Sequence, residues 1–244
     1  METSPRIGQL GLSLVELMIG LAVGLIVTAA VTSVYIMTIK SNSETLKAAN
    51  LSQQLRSVAM VITSDVRRAG YWYGAKPDAH NPFTVTGTNL NILDGGKCIL
   101  YTYDRNADGS VDSSEYFGFK KNGDEVWMKQ SGANTTDCTD GNWQGVTDDG
   151  TVIIDDLIFT TLGGKCQNTV TEEIWTVDGA GVQTDAPCEA TAASSYTAPV
   201  SGDDLVEVRR INVTLTGHLE SDSAVIRTVT SSIKVRNDRI YSQP

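Results

Sequence analysis

An α+β fold, with one long N-terminal helix packed on an antiparallel β-rich head, is predicted by three features of this 244-residue sequence. Residues 12–39 form an apolar run with a single charged side chain, Glu16. Residues 51–69 repeat apolar side chains at helical spacing, with no Pro or Gly to interrupt them. Beyond Gly70 the chain turns to Gly, Asp, Thr and Asn, with short apolar runs between turn signals, which is the pattern of many short strands. The net charge of −10 argues against a general nucleic-acid-binding surface. That acidity is uneven: residues 71–200 hold seven Lys/Arg against nineteen Asp/Glu, whereas residues 40–70 hold five against two.

The first element, Leu12 to Ile39, has 28 residues. As a helix it rises about 42 Å, enough to cross a hydrocarbon core of about 30 Å. It is too long for the apolar core of a secretory signal, and eleven mostly polar residues precede it. A plain membrane anchor leaves Glu16 unexplained, because a carboxylate in an apolar helix is costly and calls for a specific partner.

Gly11-Leu12-Ser13-Leu14-Val15-Glu16-Leu17-Met18-Ile19 resembles the prepilin motif of type IV pilins and type II secretion pseudopilins. The resemblance implies a leader over 1–11, cleavage after Gly11 by a membrane aspartyl peptidase, and N-methylation of Leu12, which stands where the family usually has phenylalanine. Glu16 then falls on the glutamate at the fifth mature position. There is a physical reason for it: cleavage leaves a cationic amine at the end of an apolar helix, and a neighbouring subunit's Glu16 can neutralise it.

The second element is an amphipathic helix half over 40–70. Leu51, Leu55, Val58, Ile62, Val66 and Ala69 form one stripe, with Gln53, Gln54, Arg56, Asp65 and Arg67 largely off it and Gly70 placed to end the helix. Joined to 12–39, it predicts one helix of about 58 residues whose second half packs on the head. A coiled-coil spacer is the rival, but the stripe lasts under three heptads. Arg68-Ala69-Gly70-Tyr71 resembles the junction after the helix in PilW-type minor pilins, and Ile233-Lys234-Val235-Arg236-Asn237 resembles that group's closing strand.

The head, 71–244, carries predicted strands at Thr84–Val85, Lys97–Tyr103, Tyr116–Phe119, Glu125–Lys129, Val152–Thr161, Leu205–Leu215 and Ala224–Val235. The last two form a hairpin around Gly217–Ser223. Leu205, Ile211, Val213 and Leu215 share the parity of one buried face. Gln167–Ser201 reads as a long surface insertion. Cys98, Cys138, Cys166 and Cys188, all in the head, read as two disulfides of an extracytoplasmic domain. Of three connectivities, Cys98–Cys138 with Cys166–Cys188 is favoured. A zinc site is disfavoured because no CxxC pair occurs and His80 and His218 stand apart.

The sharpest chemical motif is Asp104 to Glu115, DRNADGSVDSSE, which matches the twelve-residue calcium loop of EF-hands at every specified position. Calcium takes six to eight hard oxygens. Asp104, Asn106, Asp108, the Ser110 carbonyl, Asp112 and Glu115 are the candidate ligands, with Gly109 allowing the bend. The flanks are aromatic and strand-like, so the expectation is a structural calcium clip spliced between two strands. The alternative is an Asp/Gly-rich turn with no ion.

Nothing points to catalysis: there is no nucleophile elbow and no phosphate-binding glycine loop. Asp148-Asp149 and Asp155-Asp156 read as solvated turns and strand ends, and Trp72, Trp127, Trp143 and Trp175 as core or interface anchors rather than sugar platforms. The resemblance implies a minor pilin that primes assembly of a type IV pilus serving twitching motility, adhesion or DNA uptake. The runner-up is a minor pseudopilin of type II secretion, and a third reading is a tip adhesin or receptor. The implied partners are other minor pilins, the major pilin, the prepilin peptidase and the bacterial inner membrane, with the head in the periplasm before the chain enters a filament at the cell surface.

Overall fold

The computed structural model describes residues 13–74, 80–147, 151–161, 163–177, 188 and 199–242. Among the described residues one α-helix, α1 (Leu14–Val66), is followed by twelve strands. The described residues up to Lys47 form one unit and those from Ala48 another. In the first unit every side chain from 13 to 46 is exposed, and the apolar stretch is long enough to cross a membrane, consistent with anchoring. Its hydroxyls are satisfied within the helix: Thr28, Thr32 and Thr38 each donate to the carbonyl four residues back, at 2.7–2.9 Å.

The second unit is built around the last turns of α1. Leu51, Leu55, Ile62, Val66 and Ala69 are fully buried, and Ala59 nearly so. They share one core with strands of the first two of three antiparallel sheets, while the third has a small core of its own. The first has the order β1 (Asn91–Leu93), β2 (Cys98–Thr102), β3 (Tyr116–Asn122), β4 (Glu125–Ser131) and β5 (Asn142–Gly145). The second orders β11 (Asp222–Lys234), β10 (Arg210–Leu219) and β6 (Val152–Thr161). The third orders β12 (Arg239–Ser242), β9 (Asp204–Val208), β7 (Gly164–Asn168) and β8 (Ile174–Val177). Period-2 alternation fixes the faces. On β10, Ile211, Val213, Leu215 and Leu219 point to the core, while Thr214 and Thr216 face out and meet Thr230 and Thr228 of β11. β2 is buried on both faces: Ile99 and Tyr101 join the main core, and Cys98 and Leu100 a second one.

Several elements differ from the sequence expectation. Thr84–Val85 is a turn, in which the Thr84 hydroxyl donates to the Asn81 carbonyl, and no strand forms there. Leu205–Leu215 is two strands, β9 and β10, in different sheets and separated by Arg209. The β10–β11 hairpin turns at Glu220-Ser221, with Gly217 and His218 still paired in β10. The start of the predicted insertion 167–201 is a β7–β8 hairpin, and 178–187 and 189–198 lie outside the described residues. The helix itself ends at Val66, four residues before Gly70, and the chain continues through turns.

The helix end is held by three distant segments. The last carbonyls of a helix lack partners within it. Here the Arg236 N–H donates to the Arg67 carbonyl at 3.1 Å, the Asn237 amide to those of Arg68 and Ala69 at 3.2 Å each, and the Asn81 amide to that of Gly70 at 2.8 Å. Gly70 adopts φ +72°, which suits glycine, and its N–H donates to Thr102 at the end of β2. Arg236 and Asn237 therefore cap the helix; β11, the strand they were assigned to, ends at Lys234.

Asp65, expected off the stripe, is 6 % exposed. Its carboxylate accepts from the Tyr101 hydroxyl at 2.5 Å and the Tyr103 hydroxyl at 3.3 Å, with Arg68 Nη1 at 3.6 Å. Burial, then the facing Asp65 charge, push the Tyr101 hydroxyl well above its ordinary range. The same two causes push Tyr103 up to about 12.

Two stability outcomes follow for the full chain in detergent micelles. Leu55→Ala costs about 2–5 kcal/mol of unfolding free energy in denaturant titrations, against less than about 0.5 kcal/mol for the exposed Gln53→Ala. A Tyr101 pKa that is higher folded than unfolded contributes stability that is complete below about pH 10, the unfolded value, and is lost progressively as pH rises beyond it. Tyr101→Phe costs about 1–3 kcal/mol near neutrality and flattens that alkaline decline.

Candidate functional site

The apolar segment carries one of the three residues expected at the cleavage motif. Gly11 and Leu12 lie outside the described residues. Glu16 sits in the first turn of α1 and is the only acidic residue there. Gly20 and Gly24 follow it at i+4 and i+8, so all three share a helix face. A Cβ added at either glycine would meet nothing within 4 Å. The motif analysis singled out the glutamate but missed this small-residue face beside it.

The acidic loop leaves β2 at Thr102 and re-enters the sheet at β3, so its flanks are strands. Asp104 is 2 % exposed and Glu115 fully buried, while Asn106, Asp108, Ser110 and Asp112 are exposed. Backbone N–H groups hold the loop in shape. Asp104 Oδ2 accepts from Gly109 at 3.0 Å and from Tyr73 at 3.1 Å. Glu115 Oε1 accepts from Arg105 at 2.8 Å, and Oε2 from Asp112 at 3.1 Å. Asp112 caps the short 3-10 turn 113–115, accepting from the Ser114 hydroxyl and N–H at 2.7 and 2.6 Å; these bonds hold its carboxyl below the ordinary range.

The loop's centre is filled by the Asn106 amide. Asn106 Nδ2 stands 2.9 Å from Asp108 Oδ2 and 3.3 Å from Asp112 Oδ2. No three of the loop's carboxylates bring an oxygen each within 4.8 Å of one another. The bend is tight, with φ +62° at Ala107 and +79° at Gly109. On the outside the Trp72 indole donates to the Gly109 carbonyl at 3.2 Å, and the Asp104 N–H donates to the Tyr71 carbonyl at 2.9 Å. The segment leaving the helix is thereby joined to the loop, a contact that no motif in the sequence announces.

The cysteines form two disulfides, Cys98–Cys138 and Cys166–Cys188, across 40 and 22 residues. Such closures are worth about 4 and 3 kcal/mol in the chain-entropy treatment. Each lies in a small core of its own, the first with Leu100, the second with Trp175 and Leu205. Asp94 lies close to the first, but its two sulfurs are bonded to each other and offer no thiolate.

Other titratable groups are paired structurally. His218 is not isolated: Nδ1 lies 2.9 Å from Asp155 Oδ1 on the outer face of the β10–β6 pair. Asp148 and Asp149 lie outside the described residues. The fully buried Lys129 donates to Asp140 at 3.0 Å. Buried Arg209 donates to Asn89 and to the Asn237 carbonyl, beneath the helix end. Burial raises Glu207, which faces Arg239 at 3.6 Å. A cleft beside α1, lined by Gln53, Gln54, Leu55, Val58 and Thr147, has no acid or base in its walls among the described residues.

Residues 44–235 match the family described as Prepilin peptidase-dependent protein B. No curated protein matches the chain, and no solved structure does. The match spans the amphipathic part of the helix, the acidic loop and every strand but β12, and stops just before the capping Arg236 and Asn237. With an apolar N-terminal helix and an antiparallel β head, this chain belongs to the prepilin peptidase-dependent protein B family and is a type IV pilin-related protein.

Proposed function

We propose that the chain is a minor pilin of the PilW type. The prepilin peptidase cuts it after Gly11, and Leu12 becomes the methylated N-terminus. Residues 12–39 hold it in the bacterial inner membrane as a single pass with the head in the periplasm. It then enters a type IV pilus among other minor pilins and the major pilin, where it primes assembly. Its role is structural, and the twitching, adhesion or DNA uptake it serves belong to the assembled filament.

One observation carries this reading. The first 33 residues of α1, 14–46, bury no side chain, and their apolar part holds one carboxylate, Glu16, in its first turn. Such a surface needs lipid or other apolar helices around it. The amine created at Leu12 needs an anion, and Glu16 of a neighbouring copy or another pilin supplies one. The open face at Gly20 and Gly24 lets a partner helix come close along the same line as Glu16. The resemblance at Arg68–Tyr71 favours a pilus over a secretion system, while the family match fits either.

In cells, Glu16→Ala should leave the protein cut and in the membrane fraction. Its recovery in sheared filaments should fall at least about tenfold, because losing one partner of a buried ion pair costs about 3–5 kcal/mol. Incorporation equal to that of the unaltered chain would contradict the proposal. A photo-crosslinker at position 24 should capture pilins; capture of secretion pseudopilins alone would assign the chain to that system instead.

A further inference from the structure

We propose that the loop Asp104–Glu115 binds one calcium ion, which clamps the segment leaving α1 to the first sheet. The argument begins with two buried carboxylates. Asp104 is 2 % and Glu115 0 % exposed, and neither is paired with a Lys or Arg among the described residues. Buried anions in proteins are matched by cations or metals, because the isolated charge is too costly. Glu115 is compensated on both oxygens by backbone N–H groups, but Asp104 is compensated on only one. Its Oδ2 takes the Gly109 and Tyr73 N–H groups, while Oδ1 is buried with no hydrogen-bond partner among the described residues. The Gly109 bond ties this carboxylate across the loop to its bend, with the lone pairs of Oδ1 left unmatched at the first position of the twelve-residue motif.

A second observation concerns the other side of the loop. The Asn106 amide N–H₂ stands between the Asp108 and Asp112 carboxylates, so a positively polarised group already holds these two together. A cation takes over that position when the amide turns to present Oδ1. Asp104 Oδ1, Asn106 Oδ1, Asp108, Asp112, Glu115 and the Ser110 carbonyl then give an oxygen-only shell. With no His or Cys in the set, a hard cation is favoured over zinc. The larger, geometrically tolerant calcium ion suits a flexible twelve-residue loop better than magnesium, which demands a tight octahedron. The charge arithmetic agrees, since the loop holds Asp104, Asp108, Asp112 and Glu115 against Arg105.

The clamp follows from what the loop touches. Asp104 holds Tyr71 and Tyr73 through its N–H and Oδ2, and Gly109 holds the Trp72 indole. An ion that fixes Asp104 and the 109–110 bend therefore fixes residues 71–73, the continuation of the capped helix end.

The test uses the full chain in detergent micelles, freed of metal with a chelator and titrated with calcium chloride alone. A dissociation constant on the order of 10⁻⁴ to 10⁻³ M is expected, with the thermal midpoint rising by about 3–10 °C at 10 mM calcium and far less with magnesium. Terbium bound in the loop should luminesce on tryptophan excitation, given Trp72 at the Gly109 carbonyl. Asp104→Asn should weaken calcium at least about tenfold, as should Asp108→Ala, whose exposed side chain is not needed for folding. Glu220→Gln, in the β10–β11 turn, should leave binding unchanged. A midpoint indifferent to calcium, or a response retained in both loop variants, overturns the proposal.

Discussion

The capped C-terminus of α1 is the constraint on which the rest of the head depends. Four consecutive carbonyls, Arg67 to Gly70, lie in the turns just past the helix, where its own ladder no longer supplies donors. They receive Arg236, Asn237 and Asn81, from opposite ends of the head sequence. Each bond is worth about 1 kcal/mol net, but a buried carbonyl left without one costs about 1–3 kcal/mol. The chain therefore has to return to its helix after β11, which sets where the second sheet ends. Gly70 and Tyr71 tie the same point to Thr102 and Asp104, which sets where β2 stops and the acidic loop begins. Arg209, between β9 and β10, lies beneath, where the third sheet hands over to the second.

The two ends of α1 obey different solvents. From Ala48 onward the helix is half of a core, its stripe pressed on Ile99, Phe119, Phe159 and Leu215. Over 14–39 it has no core of its own, only an apolar circumference interrupted by Glu16. A sequence that carries both patterns without a break is asking for two environments, a membrane or filament for one part and a folded head for the other. The satellite cores around Cys98–Cys138 and Cys166–Cys188 fit a head working where disulfides persist, since each replaces apolar area that a thin β layer cannot supply.

Legibility in the sequence followed the length and purity of each pattern. The helix stripe and the long strands β6, β10 and β11 repeat their period often enough to be read. β1, β5, β7, β8 and β12 are three to five residues long, and segments such as Asn142–Gly145 have no alternation to detect. β9 and β10 merged in the reading because Leu205 and Ile211 keep the same parity across Arg209, the residue that moves the chain between sheets. Asp65 reads as a surface residue until Tyr101 and Tyr103, more than thirty positions away, are brought over it. At the acidic loop the twelve positions were legible because spacing carries that motif. The unmatched Asp104 oxygen and the Trp72 contact were not, because both are made by the fold.

The proposed filament role rests on processing of the chain to a new end at Leu12. The most direct measurement is the intact mass and terminal peptide of the protein isolated from its native cells. The account predicts a chain lacking residues 1–11 and starting at Leu12 with one added methyl group. A chain that still begins at Met1, or one cut anywhere other than after Gly11, would contradict it.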